Sequence, residues 1–162
     1  MKQGLLLTVA VVLLLAGAVT PWWTTPTPTE TDGTWRGSLT LVTYGPCVQD
    51  VYGDRACEFF DDASTIDHAR RWTFLVGLAA AALLVSAHAA PGGTLARRGL
   101  GVAAIVGSAF ALVAGLSMIC VLIWIAVEAH QGVPGIGGLL FIAGAILGLR
   151  SSRVIAAGDP ST

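Results

Sequence analysis

Four stretches of this chain carry no charged side chain: residues 4–23, 72–90, 99–127 and 132–149. A helix needs about 20 mostly apolar residues to cross the roughly 30 Å hydrocarbon slab of a bilayer. Inside that slab every backbone polar group must find its partner within the protein, which leaves helices or a closed barrel as the only spanning structures. The runs therefore predict four transmembrane helices. Composition agrees, because 54% apolar residues, 12% charged residues and a mean hydropathy of +0.74 over 162 residues do not describe a water-soluble domain.

The first run resembles a cleaved secretory signal in one respect, since Lys2 precedes it and Ala16, Gly17 and Ala18 are small. Its apolar length and its closing pair Trp22 and Trp23, placed as an interfacial aromatic belt would be, favour a retained span. Nine basic and ten acidic residues give a net charge of −1, so there is no cationic surplus for a polyphosphate, and nucleic acid is excluded as a main partner. The expected partners are the lipid bilayer and protein, either a second copy or another membrane protein, and no cofactor is expected.

Basic residues in short loops set orientation. Lys2, Arg97, Arg98, Arg150 and Arg153 fall on one side with Asp159 as the acid there, whereas residues 24–71 hold Arg36, Arg55, Arg70 and Arg71 against eight acids. Both termini are therefore expected in the cytoplasm of a multi-pass plasma-membrane protein, with residues 24–71 facing outward and residues 127–134 forming a second outer connection. The third run is overlong: 29 residues extend about 43 Å at 1.5 Å each. It is expected to stand proud of the membrane at its outer end, near Glu128 and His130.

Helices in lipid associate through close packing, so small residues mark their contacts. Ala103, Gly107, Ala111 and Gly115 recur every four positions on the third span, and Gly144 and Gly148 form a GxxxG pair on the fourth. No charge lies within any span, which disfavours transport by the single chain, because pumps and transporters carry ionisable groups at depth. His88 is expected to snorkel to the cytoplasmic surface, and Cys120 to be a small buried apolar residue.

The 48-residue outer loop is too long for a plain connection. Residues 35–44 are rich in types that fit a pleated, half-buried surface and predict a strand; a shorter one is expected at 56–60, with Tyr52, Gly53 and Asp54 as the turn. Cys47 and Cys57 flank that turn on the oxidising side and are the natural disulfide pair, stabilising the loop by about 3 kcal/mol in the chain-entropy model. Zinc is the poorer alternative, since no His is nearby.

These residues together resemble the superfamily of claudins, peripheral myelin proteins and calcium-channel gamma subunits, over nearly the whole chain. Such proteins have four spans, cytoplasmic ends, a large first outer loop with two cysteines and a long third helix. Cys47 and Cys57 suit the family spacing, Tyr44 stands where the family's Gly-Leu-Trp motif places its Trp, Trp23 lies where an earlier loop Trp is expected, and Arg71 resembles the basic residue that opens the second span. The motif itself reads Val42, Thr43, Tyr44, so only aromaticity is kept. The resemblance implies an all-α membrane protein: one tetraspan domain over residues 1–162, a four-transmembrane-helix bundle capped by a small disulfide-stapled antiparallel β-sheet in the first extracellular loop.

The expected function is non-catalytic. The outer sheet would mediate protein contacts, by self-association or between cells or envelopes, with Trp35, Tyr44, Tyr52, Phe59 and Phe60 as aromatic anchors. The alternative is an accessory subunit of a membrane channel, transporter or envelope complex, joined through the third-span ridge. Catalysis has one candidate group, Glu128 and His130, and two residues apart on a helix end they do not face each other.

Overall fold

The computed structural model describes residues 2–24, 38–41, 63–92, 94–129 and 133–157. Four helices account for nearly all of them: α1 (Lys2–Val19), α2 (Ala63–Ala89), α3 (Leu95–Ala129) and α4 (Gly137–Ala157). The turns that separate them are set by residues that cannot continue a helix. Pro21 follows α1, Pro91 follows α2, and Pro134 with Gly135 precedes α4. At the start of α3 the Thr94 hydroxyl accepts the Arg97 N–H at 3.2 Å, an N-cap that satisfies one of the four unpaired amides of the first turn.

The helices run past the charge-free stretches. α2 begins nine residues before Trp72 and carries Arg70 and Arg71 inside it, and α4 continues seven residues beyond Arg150. Long cationic side chains do not break a helix; they reach sideways for a polar surface. α2, α3 and α4 are long and apolar enough to cross a membrane, whereas the apolar part of α1, Gly4–Val19, falls short by the same measure. The expectation of four full spans is corrected to three such helices and one shorter apolar helix. α3, with 35 residues, extends about 52 Å and is the longest strut of the bundle.

Burial follows a seven-residue rhythm. On α3 the buried positions are Gly101, Ala104, Ser108, Ala111, Gly115, Met118 and Leu122, in alternating steps of three and four. On α4 they are mostly glycine, alanine and serine. Large apolar side chains point the other way: Val9 and Val12, Leu75 and Val85, Val106 and Phe110 are all exposed on the outside. Small residues inside and bulky apolar residues outside make a surface that lipid accommodates and water does not. Some helix hydroxyls bond to the preceding turn, as where Thr73 donates to Ala69 O at 2.8 Å and Ser152 to Gly148 O at 2.7 Å.

Phe141 is the keystone. It has no exposure and sits where three other helices each present a glycine, Gly17 of α1, Gly77 of α2 and Gly115 of α3. A Cβ on Gly77 would fall 2.5 Å from the Phe141 ring, and one on Gly17 would fall 2.5 Å from the Phe141 backbone N. Only glycine allows that approach.

The expected sheet is corrected most. The fold is helical, and strand pairing among the described residues is confined to three two-residue segments: β1 (Trp23–Thr24), β2 (Ser38–Leu39) and β3 (Val133–Pro134). They pair antiparallel in the order β2-β1-β3, Trp23 opposite both Leu39 and Pro134. This is not a sheet domain within the loop: it is a clasp that joins the exit of α1, the loop and the entry of α4. Of the expected strand 35–44, Ser38 and Leu39 pair, but Leu41 leaves the ladder because its N–H donates to Ala18 O of α1 at 3.0 Å. The expected second strand at 56–60 and the expected bridge between Cys47 and Cys57 lie outside the described residues.

Candidate functional site at the sheet end of the bundle

The end of the bundle that carries the clasp is where the chain concentrates specific polar contacts. Its logic begins with the last turn of α1, whose carbonyls have no partner within the helix. Ala16 O accepts from the Thr20 N–H at 2.9 Å and from the Thr20 hydroxyl at 2.8 Å. Gly17 O accepts from Trp22 Nε1 at 2.6 Å, and Ala18 O accepts from Leu41 N. An indole and a backbone amide from elsewhere in the chain thus cap α1.

The same segment then caps α4. Gly137 N–H donates to Pro21 O at 2.9 Å and Gly135 N–H donates to Trp22 O at 2.8 Å. Close approach requires glycine at both positions, since a Cβ on Gly137 would fall 2.5 Å from Thr20 O and one on Gly135 would collide with Pro21. Trp22 also packs on Phe141, with ring centroids 5.5 Å apart and planes tilted by 60°, an arrangement favoured by the ring quadrupoles. It is 2% exposed, and the neighbouring Trp23 is buried too.

Arg70 closes the arrangement from α2. It is 6% exposed, low for a guanidinium, and its Nη1 donates to Leu41 O at 3.0 Å. Leu41, itself 1% exposed, is therefore gripped through its N–H by α1 and through its carbonyl by α2. A buried cation with a specific acceptor is strongly destabilising to disrupt. The loop is pinned to the bundle at residues 23–24 and again at 38–41, and residues 25–37 and 42–62 begin and end at fixed points.

Trp23 is thus a buried strand residue of the clasp; Arg71 is exposed, and its neighbour Arg70 makes the hydrogen bond to Leu41 O. Trp35, Tyr44, Cys47, Cys57 and His130 lie outside the described residues, as does the side chain of Glu128. Of the third-span ridge, Ala111 and Gly115 are buried and Ala103 and Gly107 are half-buried. Gly107 meets Leu83 and Ala80 of α2, whereas Gly115 meets Phe141 of α4, so the ridge is shared between two neighbours. Steps of four drift by about 40° each around a helix of 3.6 residues per turn. Gly144 abuts Leu14 and Ala10 of α1, and Gly148 abuts Ser108 of α3 and Leu84 of α2, so that pair also serves different partners. Cys120 is exposed on α3 rather than buried, and His88 is exposed beside Gly4.

Sequence reasoning missed Trp22, Leu41, Arg70 and Phe141. For Arg70 a signal existed: it shares the three-and-four rhythm of Thr73, Gly77, Ala80, Leu84 and Ala87, and Arg71 does not. Among the described residues no group of three or more His, Cys, Asp or Glu is placed to hold a metal ion. No protein-family model, no curated protein and no solved structure matches this chain.

Proposed function

We propose that the chain is a non-catalytic integral membrane protein of claudin-like type, which makes protein contacts through the loop mounted on the sheet end of its bundle. The observation that carries this reading is the double grip on Leu41. It fixes the loop at a rigid platform, and a loop held at defined points loses less freedom when it meets a partner than one tethered only at its ends. The exposed apolar flanks of α2, α3 and α4 support the membrane setting. On this reading the end bearing Arg97, Arg98, Arg150 and Arg153 faces the cytoplasm, both termini lie there, and residues 24–71 face outward at the plasma membrane.

A second reading has an observation of its own. Val102, Val106, Phe110 and Val113 form an exposed stripe along α3, and a larger membrane complex holding this chain as an accessory subunit would cover such a stripe. Crosslinking in native membranes with mass identification separates the two. Crosslinks from residues 25–37 and 42–62 to a second copy or a protein on a facing membrane are expected. Crosslinks to one stoichiometric foreign protein from the α3 stripe alone would replace the contact reading with the subunit reading, and reporter mapping of Tyr44 to the cytosol would overturn the orientation.

A further inference from the structure

Among the described residues the opposite end of the bundle has no strand pairing, and its chemistry is cationic. The α3 start and the α4 end meet there, since a Cβ on Gly101 would lie 3.0 Å from the Ala156 N. The α1 start and the α2 end meet at the same end, where Gly4 approaches His88. Arg97 and Arg98 stand one turn before Gly101, Arg153 one turn before Ala156, and Arg150 one turn further in. Arg98, Arg150 and Arg153 are exposed and Arg97 is half-buried. Residues 72–127 and 129–158 contain no Asp or Glu, so Asp159 is the one acid set against these four arginines.

We propose that this end binds the phosphate headgroups of anionic phospholipids, through Arg97, Arg98, Arg150 and Arg153. The proposal rests on the membrane-spanning reading and adds a ligand class to it. Three features point to phosphate, and the first favours a lipid over a free anion. First, the backbones of the four arginines are spread over about 15 Å of the bundle axis, taking 1.5 Å per helical residue, a span that suits a plane of headgroups better than one small ion. Arg side chains reach several ångströms along the helix, and the headgroup zone of one leaflet is about 5–8 Å thick, so Arg150 from below and Arg97 and Arg98 from above can meet the same phosphate plane. Second, all four are arginines, whose planar fork takes two phosphate oxygens at once. Third, Arg97 Nε is buried and has no hydrogen-bond partner among the described residues, beside Gly92, where a Cβ would lie 3.2 Å from Arg97 Nη1.

The test uses the full chain in neutral detergent, with native mass spectrometry reading retained lipid after addition of phosphatidylglycerol or phosphatidylcholine at equal mole fraction. Each basic residue near an anionic surface contributes about fivefold in binding, so a preference of tenfold or more for phosphatidylglycerol is expected in the unmodified protein. The variant R97Q/R98Q/R150Q/R153Q should bring the ratio near one. If that variant does not fold, raising salt from 50 to 500 mM on the unmodified protein should collapse the same preference. Equal retention of the two lipids, or a preference that survives both the variant and salt, overturns the proposal. So does complete competition by millimolar inorganic phosphate, which would mark a site for the free anion. Membrane insertion is read separately by resistance to alkaline extraction, so a protein that stays in the membrane yet ignores lipid charge sinks this inference and leaves the functional reading standing.

Discussion

The two ends of the bundle are built on different principles. At the sheet end the chain ties itself to itself: α1 is capped by Trp22 and Leu41, α4 by Pro21, and Arg70 reaches in from α2. At the basic end helix contacts are made by small residues, and Arg98, Arg150 and Arg153 are exposed. Backbone groups at the end of a membrane helix must be satisfied where water is scarce, and an end that meets this need within the protein becomes rigid. An end that leaves its cations exposed depends on what surrounds it. The first is suited to holding a loop in place, the second to sensing the leaflet it sits in.

The contrast breaks most visibly at Phe141. Replacing it with Ala should cost about 3–5 kcal/mol, because the ring fills a hole bordered by Gly77 and Gly115, whose helices cannot close over the void. Unfolding in micelles, followed by Trp fluorescence, measures this, and a loss below about 1 kcal/mol would mean that the helices relax into the space. Filling the hole from the other side is the complementary test. Gly77→Ala places a methyl 2.5 Å from the Phe141 ring and should cost about 1–3 kcal/mol. Gly99→Ala, where nothing lies within 4 Å, should leave stability unchanged or raise it by up to about 1 kcal/mol through helix propensity. If the two alanines behaved alike, glycine would be serving flexibility in this bundle and not approach.

Arg70 comes next in size. Arg70→Met keeps the length of the stem and removes the donor to Leu41 O, which should cost about 1.5–3 kcal/mol. It should also raise proteolysis of residues 42–62 in the intact protein, a readout that a general loss of helix packing would not single out. Unchanged cleavage there would show that the Ala18 contact alone holds Leu41.

The helical runs were legible because hydrophobic length is a one-dimensional property: charge-free stretches located all four helices, but not their ends, since Arg70, Arg71, Arg97, Arg98 and Arg150 lie inside helix, α1 stops before residues 20–23 and α4 starts five residues after its run. The clasp was not legible for the opposite reason. Its bonds join residues 18 and 41, 22 and 135, and 41 and 70, and two-residue strands leave no periodicity to read. The small-residue spacing was visible but misphased. A ridge of fours at Ala103, Gly107, Ala111 and Gly115 was the conspicuous pattern, whereas burial follows the sevens that run through Ser108, a residue whose polarity hides it from an apolar scan.

That serine also provides a fine contrast within the basic half of the bundle. Ser108 has no exposure and its hydroxyl has no hydrogen-bond partner, while Ser152, equally buried, donates to Gly148 O at 2.7 Å. A buried hydroxyl without a partner is a net burden, and one bonded to the preceding turn is close to neutral or slightly helpful. Ser108→Ala should therefore raise stability by about 1 kcal/mol, and Ser152→Ala should lower it by about 0.5 kcal/mol. The order of the two midpoints in one denaturation series decides the point, because both changes remove the same atom from the same kind of surroundings. If Ser108→Ala instead destabilised, the hydroxyl would have a partner within the bundle, and the basic half would hold a polar contact like those of the clasp.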